Sequence, residues 1–288
     1  MRQLGRLGVW YPIDRLDGAG IRHLLRTVEE LGYSTLWYPE ALGYESLSIA
    51  SFMLANTNRM IIGSSIASIY ARDAFTARRG LRTLSSLYDD RFILGLGVSH
   101  KPMVEGLRGH VYDKPVPTMR RYLDGVYEDP SNAAEWPLVI AALGPLMLKL
   151  AAERTAGAVP YNVTPEHTRA ARAALGPDKL LPVEQKVCLQ TDPSAARGLA
   201  RQELHRYMTL TNYRNNWLRM GRSRPRQWRF GQVHRCDGAL GRSGDDYPRP
   251  EGASGSGRHS SLHSAGPRGG RHGSARSNPG GAGRYLSL

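Results

Sequence analysis

Apolar positions along the chain change period at regular intervals, dividing its first 221 residues into alternating short strands and helices. Residues 5–10 (GRLGVW) end in an apolar pair ahead of Pro12 and Asp14, as a buried strand does. Asp17 then stands where a helix N-cap belongs. Ile21, Leu24, Leu25, Val28 and Leu31 share one helical face, and Gly32 follows where a left-handed residue ends the helix. The pattern predicts further strands over residues 34–39 (STLWYP), 60–62 (MII), 91–97 (RFILGLG), 138–143 (LVIAAL), 157–162 (GAVPYN) and 181–189 (LPVEQKVCL). Helices are predicted after Asp73 (Phe75, Ala77, Leu81, Leu84, Leu87), over 116–127, from Pro145, from Thr164 to Gly176, and from Asp192 through Met208. Seven strands alternating with helices predict a parallel sheet covered or closed by helices. No GxGxxG follows the first strand, which disfavours a dinucleotide-binding sheet. The expected class is therefore α/β, a TIM (β/α)8-type barrel that is incomplete at its C-terminal end, because the pattern supplies no eighth strand.

In such a barrel ligands sit at the C-terminal ends of the strands, and polar residues collect there in this sequence. Glu40 follows the second strand, as a carboxylate facing the site or as a solvated loop residue or cap. Gly63, Ser64 and Ser65 follow the third, where small residues let a backbone approach a ligand and hydroxyls supply donors. Gly97, Val98, Ser99 and His100 end the fourth; His100 reads as a functional imidazole or as a structural one. The irregular stretch 102–117, with Glu105, His110, Tyr112 and Lys114, reads as a loop over the site. Gly144-Pro145 opens a helix directly after a strand, which is a phosphate seat or simply a tight turn.

Charge changes the picture at one place. The formal net charge is +14, but residues 222–288 hold 12 Arg, no Lys and 4 acidic residues, so +8 of it lies there and the body is only mildly basic. Cys188 and Cys236 make no metal or redox spacing, so no metal site is expected. Without a long apolar run or signal-like start the protein is expected to be cytoplasmic, with a small-molecule substrate, no nucleic-acid or membrane partner, and a homodimer if the barrel folds.

The order LWYPEA, IGSSIASIYARDAF, RFILGLGVSH, RGHVYDKP with MRRYLDG, and AALGP before a helix resembles the luciferase-like monooxygenase superfamily. More narrowly, it resembles the actinobacterial branch that uses the deazaflavin coenzyme F420. The likeness covers residues 5–221. It implies a TIM barrel holding coenzyme F420, with FMN as the alternative cofactor, and hydride transfer between it and a small organic substrate. By position, Ser65-Ile66 would be the family's cis peptide behind the ring, and Glu40 would lie near the reactive face. Gly97, Ser99 and His100 would line the ring edge and substrate side, with His100 and Glu40 as the catalytic candidates. Leu143 and Gly144 would lie where the cofactor's phosphate is held.

Residues 222–288 break the pattern, with 14 of the 32 glycines and no helical or strand period. Such a composition cannot bury enough apolar surface to offset chain entropy, so disorder is expected. A basic tail for nucleic acid, a linker and a reading-frame change near Gly221 all compete to explain it. The frame change accounts together for the missing strand, the Arg-without-Lys bias and the lost periodicity, and it implies an inactive product as a further reading. A GC-rich back-translation of residues 222–250, shifted by one base, can be chosen to restore helix-like text.

Overall fold

The computed structural model describes residues 4–128, 136–221 and 286–287. All of these belong to one compact unit, residues 1–241 with 285–288; a second unit, 242–284, lies outside the described residues. In chain order the elements are β1 (Val9–Trp10), α1 (Gly18–Glu30), β2 (Thr35–Tyr38), α2 (Ser46–Ala55), β3 (Ile61–Ser64), β4 (Ala67–Ser68), α3 (Ala74–Leu87) and β5 (Phe92–Gly97). They continue with α4 (Pro115–Val126), β6 (Leu138–Ile140), α5 (Pro145–Arg154), β7 (Gly157–Ala158), α6 (Pro165–Leu175), β8 (Lys186–Val187), α7 (Pro193–Met208), α8 (Thr211–Arg219) and β9 (Leu286–Ser287).

Four helices start on the expected side-chain caps. Asp17 accepts from Gly20 N, Asp73 from Thr76 N, Thr164 from His167 N and Asp192 from Ala195 N, each satisfying a backbone donor that the first turn leaves free. Gly32 and Gly176 follow α1 and α6 with φ of +83° and +81°, conformations that any side chain would strain.

Strands β1, β2, β3, β5, β6 and β7 pair in parallel, in the order β7-β6-β5-β3-β2-β1. Alternation along each strand sends its residues to two cores. Leu36, Tyr38, Ile62, Phe92, Leu94, Leu138, Ile140 and Ala158 join the large cluster under the helices. Trp37, Ile61, Ile93, Val139 and Val159 form a second cluster with Trp10 packed on it. One residue from each successive strand meeting in a separate core is the interior layer of a barrel. Leu180 bridges Gly157 in parallel and brings the chain from β7 toward β8.

The fold is the expected TIM-barrel-like α/β arrangement, and among the described residues it has no eighth parallel strand. One expectation is corrected. Residues 222–288, expected to be without a strand period, supply one short strand: β9 pairs antiparallel with β1 and with β8, Trp10 opposite Ser287 and Val187 opposite Leu286. Backbone donors and acceptors need no apolar alternation to pair, so two residues without a sequence pattern can occupy that edge. The expected disorder of the remaining tail and the frame change fall outside the described residues. Two smaller corrections concern the body. Residues 102–107 form a π-helical turn within the predicted irregular loop, and Phe75 and Leu87, expected on the apolar face of α3, are exposed.

Candidate active site

The chain leaves β3 through a bulge. The Ser65–Ile66 peptide bond is cis, at the position the family resemblance implies. Ser65 N donates to Tyr38 O (2.6 Å), Glu40 N to Ile66 O (3.2 Å), and Ile69 N to Gly97 O (3.0 Å), so the bulge is fastened to both neighbouring strands. Ser64 Oγ donates to Gly95 O and accepts from Gly95 N, both at 2.9 Å. Gly63, read as room for a ligand, has a protein neighbour in that position, as do Gly95 and Gly97. A Cβ at Gly63 would lie 2.4 Å from the Trp37 ring, at Gly95 2.0 Å from Ser64 O, and at Gly97 2.5 Å from Ile66 Cδ1. Gly97 therefore lets the half-buried Ile66 lie flat on β5, which builds an apolar backing at the barrel mouth. Ser65 beside it is buried.

Glu40 lies on the helix side of this bulge. Tyr38, two residues earlier, packs in the helix-facing core, and the Glu40 side chain, 4% exposed, lies under the bulge. Its Oε1 accepts from Ser46 N (3.2 Å) and from Arg72 Nη2; its Oε2 accepts from Ser68 N (2.7 Å) and Arg72 Nη1 (3.1 Å). Four acceptor sites are thereby filled, the capacity of a carboxylate. Glu40 is a strut holding the bulge, with no lone pair left for proton transfer. Arg72 also reaches Glu45 Oε1 (2.8 Å), and Glu45 caps α2 by accepting from Leu47 and Ser48 N. Burial alone would lower the Arg72 pKa, but its hydrogen bonds and charge contacts with Glu40 and Glu45 raise it.

Across the mouth, Ser99 has φ +56°, which turns the chain sharply after β5. His100 follows, its ring 5.8 Å from that of Tyr213. Burial holds its pKa below the ordinary histidine range, so the imidazole is neutral near pH 7. Tyr213 continues into an aromatic group with Tyr161, Tyr207 and Trp217. Lys186 Nζ donates to Tyr161 Oη (2.9 Å) and pairs with Glu184 (3.1 Å).

Gly144 is the N-cap of α5, with Pro145 in the first turn. The preceding Leu143 carbonyl is bonded to His167 Nε2 at 2.8 Å, and Arg219 of α8 stands over Gly144. Ser65, Ile66 and Gly97 thus form one contact group braced by Glu40 from the helix side, while α8 links the loops carrying His100 and Gly144. The sequence reading missed Arg72, His167, Lys186 and Arg219. Arg72 lay inside a quoted motif, yet nothing in its spacing of 32 residues from Glu40 signals a pair.

These features define a TIM-barrel-like α/β fold with polar residues gathered at its C-terminal strand ends. Residues 6–128 match the family described as luciferase-like monooxygenase. A Mycobacterium tuberculosis protein, Rv3520c, whose name assigns it to the coenzyme F420-dependent oxidoreductases, is 32% identical over 122 residues, 42% of this chain and 33% of that protein. The chain spans between a third and 63% of the length of the curated relatives it matches. Coenzyme F420-dependent tetrahydromethanopterin reductase from Methanopyrus kandleri shares the fold at TM-score 0.58 and 16% identity, covering 68% of this chain and 70% of that one. The oxygenating constituent of 3,6-diketocamphane monooxygenase from Pseudomonas putida, in complex with FMN, does so at TM-score 0.52 and 12% identity, covering 75% and 76%.

Proposed function

We propose that this chain binds coenzyme F420 at the C-terminal strand ends and transfers a hydride between it and a small organic substrate. The observation that carries the reading is the Ser65–Ile66 bulge seated on Gly97, at the same barrel end as the open N-terminus of α5. The residues present fit such a group. Ile66 offers an apolar face to a ring, and the first turn of α5 offers the Leu146 N–H and the positive end of a dipole to a phosphate. When bound, the deazaflavin supplies the hydride donor or acceptor carbon. His100, neutral and packed against Tyr213, would take or return the proton on the substrate oxygen or nitrogen. Glu40 and Arg72 hold the bulge in place.

A second reading, an FMN-dependent monooxygenase, draws support from the matched family's name and from the diketocamphane neighbour. Titrating the purified chain with each cofactor and following fluorescence separates the two. Binding of F420 is expected; tight binding of FMN with no response to F420 would overturn the first reading.

A further inference from the structure

His100 follows β5, and the ring that meets it comes from a helix more than a hundred residues later in the chain. Tyr213, in the first turn of α8, sets its ring centroid 5.8 Å from that of His100, with the two planes inclined at 44°. Tyr213 is itself buried, so water does not reach the imidazole past it. The phenol is also held from behind. It stands edge-on to Tyr207 (5.1 Å, 80°) and to Tyr161 (6.2 Å, 60°), arrangements that aromatic pairs prefer, and Trp217 packs 6.1 Å from it one helical turn on. Tyr161 and Tyr207 are joined through their hydroxyls at 2.7 Å. Lys186 Nζ lies 4.7 Å over the Tyr161 ring and 5.3 Å over that of Tyr207, and pairs with Glu184 and Glu203 at 3.1 and 3.5 Å. Side chains from β8, α7, α8 and the segment after β7 thus fix one ring against one imidazole.

A tyrosine can act on a neighbouring histidine by its charge or by keeping water away. Burial holds the phenols of Tyr161 and Tyr213 well above their ordinary pKa, so both stay un-ionised and bring no charge. Among the described residues no charged side chain contributes to the shift of His100 either. Lys101 beside it pairs with Glu105 at 3.6 Å. Burial is the larger influence on the imidazole, and the uncharged Asn212 side chain of α8 opposes it. Exclusion of water is what Tyr213 supplies.

We propose that Tyr213 is a positioning residue for His100: its ring, locked by the aromatic group behind it, roofs the imidazole, fixes its plane and keeps water off the group that exchanges the proton. The proton-transfer part rests on the function proposed above; the roofing does not. A roofed imidazole remains a base in mildly acidic solution, where a free one is largely protonated.

The test is a pH titration of the histidine ring protons by NMR, on the full chain labelled at histidine, with His100→Gln to assign the resonance among the nine histidines. In the unaltered chain and in Tyr213→Phe, which keeps the ring, His100 should titrate below the ordinary value. In Tyr213→Ser the titration should rise to about 6.5, so that about three-quarters of the imidazole is protonated at pH 6 and a smaller share in the other two chains. Tyr213→Val, which keeps an apolar side chain in the cluster, should fall between them and serves if the serine variant does not fold. A His100 titration that is the same in Tyr213→Phe and in the serine or valine variant overturns the proposal. His167 reports whether α8 stays docked, because the charge of Arg219 at the other end of that helix reaches it. An equal rise of His100 and His167 would mean that the whole helix has come away, and the assignment to Tyr213 would fall. The titration needs neither cofactor nor substrate, so a failure of the F420 reading shows in the cofactor titrations and leaves this result as it is.

Discussion

Replacing Glu40 by glutamine removes a single charge from a carboxylate 4% exposed, opposite a guanidinium 5% exposed. The amide nitrogen of glutamine is a donor. Whichever way it turns, it faces either Ser46 N and Arg72 Nη2 or Ser68 N and Arg72 Nη1, so two donors lose their acceptor. Breaking one side of a buried ion pair typically costs about 3–5 kcal/mol. Arg72 keeps Glu45 as a partner, which places the expectation toward the lower figure. About 3 kcal/mol corresponds to a shift of roughly 6–12 °C in a domain of this size, and is a large share of a typical total stability. Urea unfolding by fluorescence, extrapolated linearly, measures it. The reasoning fails if Glu40→Gln unfolds within about 0.5 kcal/mol of the unaltered chain while turnover collapses. That result would return Glu40 to the chemistry.

His100→Ala should lower turnover with little change in F420 affinity, measured by steady-state kinetics beside a binding titration; unaltered turnover would leave His100 a structural residue packed on Tyr213. Burial depresses the pKa of both His100 and His167 below 6.5. The unfolded chain therefore binds more protons just below that value, and the stability these groups contribute is present above it and lost as pH falls. Denaturation midpoints should drop between about pH 7 and pH 5, and His167→Gln, which keeps a donor for the Leu143 carbonyl, should flatten the slope. Truncation after residue 284 removes the partner of Trp10 and Val187 and should cost about 1–3 kcal/mol in urea unfolding; an unchanged midpoint would show that the β9 pairing carries no weight.

What could be read from the sequence was local. The caps Asp17, Asp73, Thr164 and Asp192 act within three residues, so their spacing is visible in the chain. Strand positions were legible because burial on both faces leaves short apolar runs bounded by turns. α2 went unread because its sequence SLSIASFMLA is apolar almost all round and shows no period. α8 is polar apart from Leu218 and the buried pair Tyr213 and Trp217, whose spacing of one helical turn was its one signal. The cis bond was placed by resemblance, and the contact between Gly97 and Ile66 that packs it was not. Long-range charge pairs such as Glu40 with Arg72, and the meeting of Arg219 with Gly144, depend on how helices cross the barrel mouth, which no local period encodes.

The Glu40–Arg72–Glu45 linkage also decides how this edge of the molecule opens. The amides of Ser46, Leu47, Ser48 and Ser68 all donate into these two carboxylates, and Arg72 joins the carboxylates to each other. None of these amides can be exposed alone without drawing charge out of its pairing. They belong to one cooperative opening unit that spans the start of α2 and the far side of the bulge, although 22 residues of chain separate Ser46 from Ser68. Their hydrogen exchange should accordingly proceed at one common free energy, in place of the graded fraying that a helix end usually shows. The first turn of α2 and the backing of the site thus become solvent-accessible in the same event.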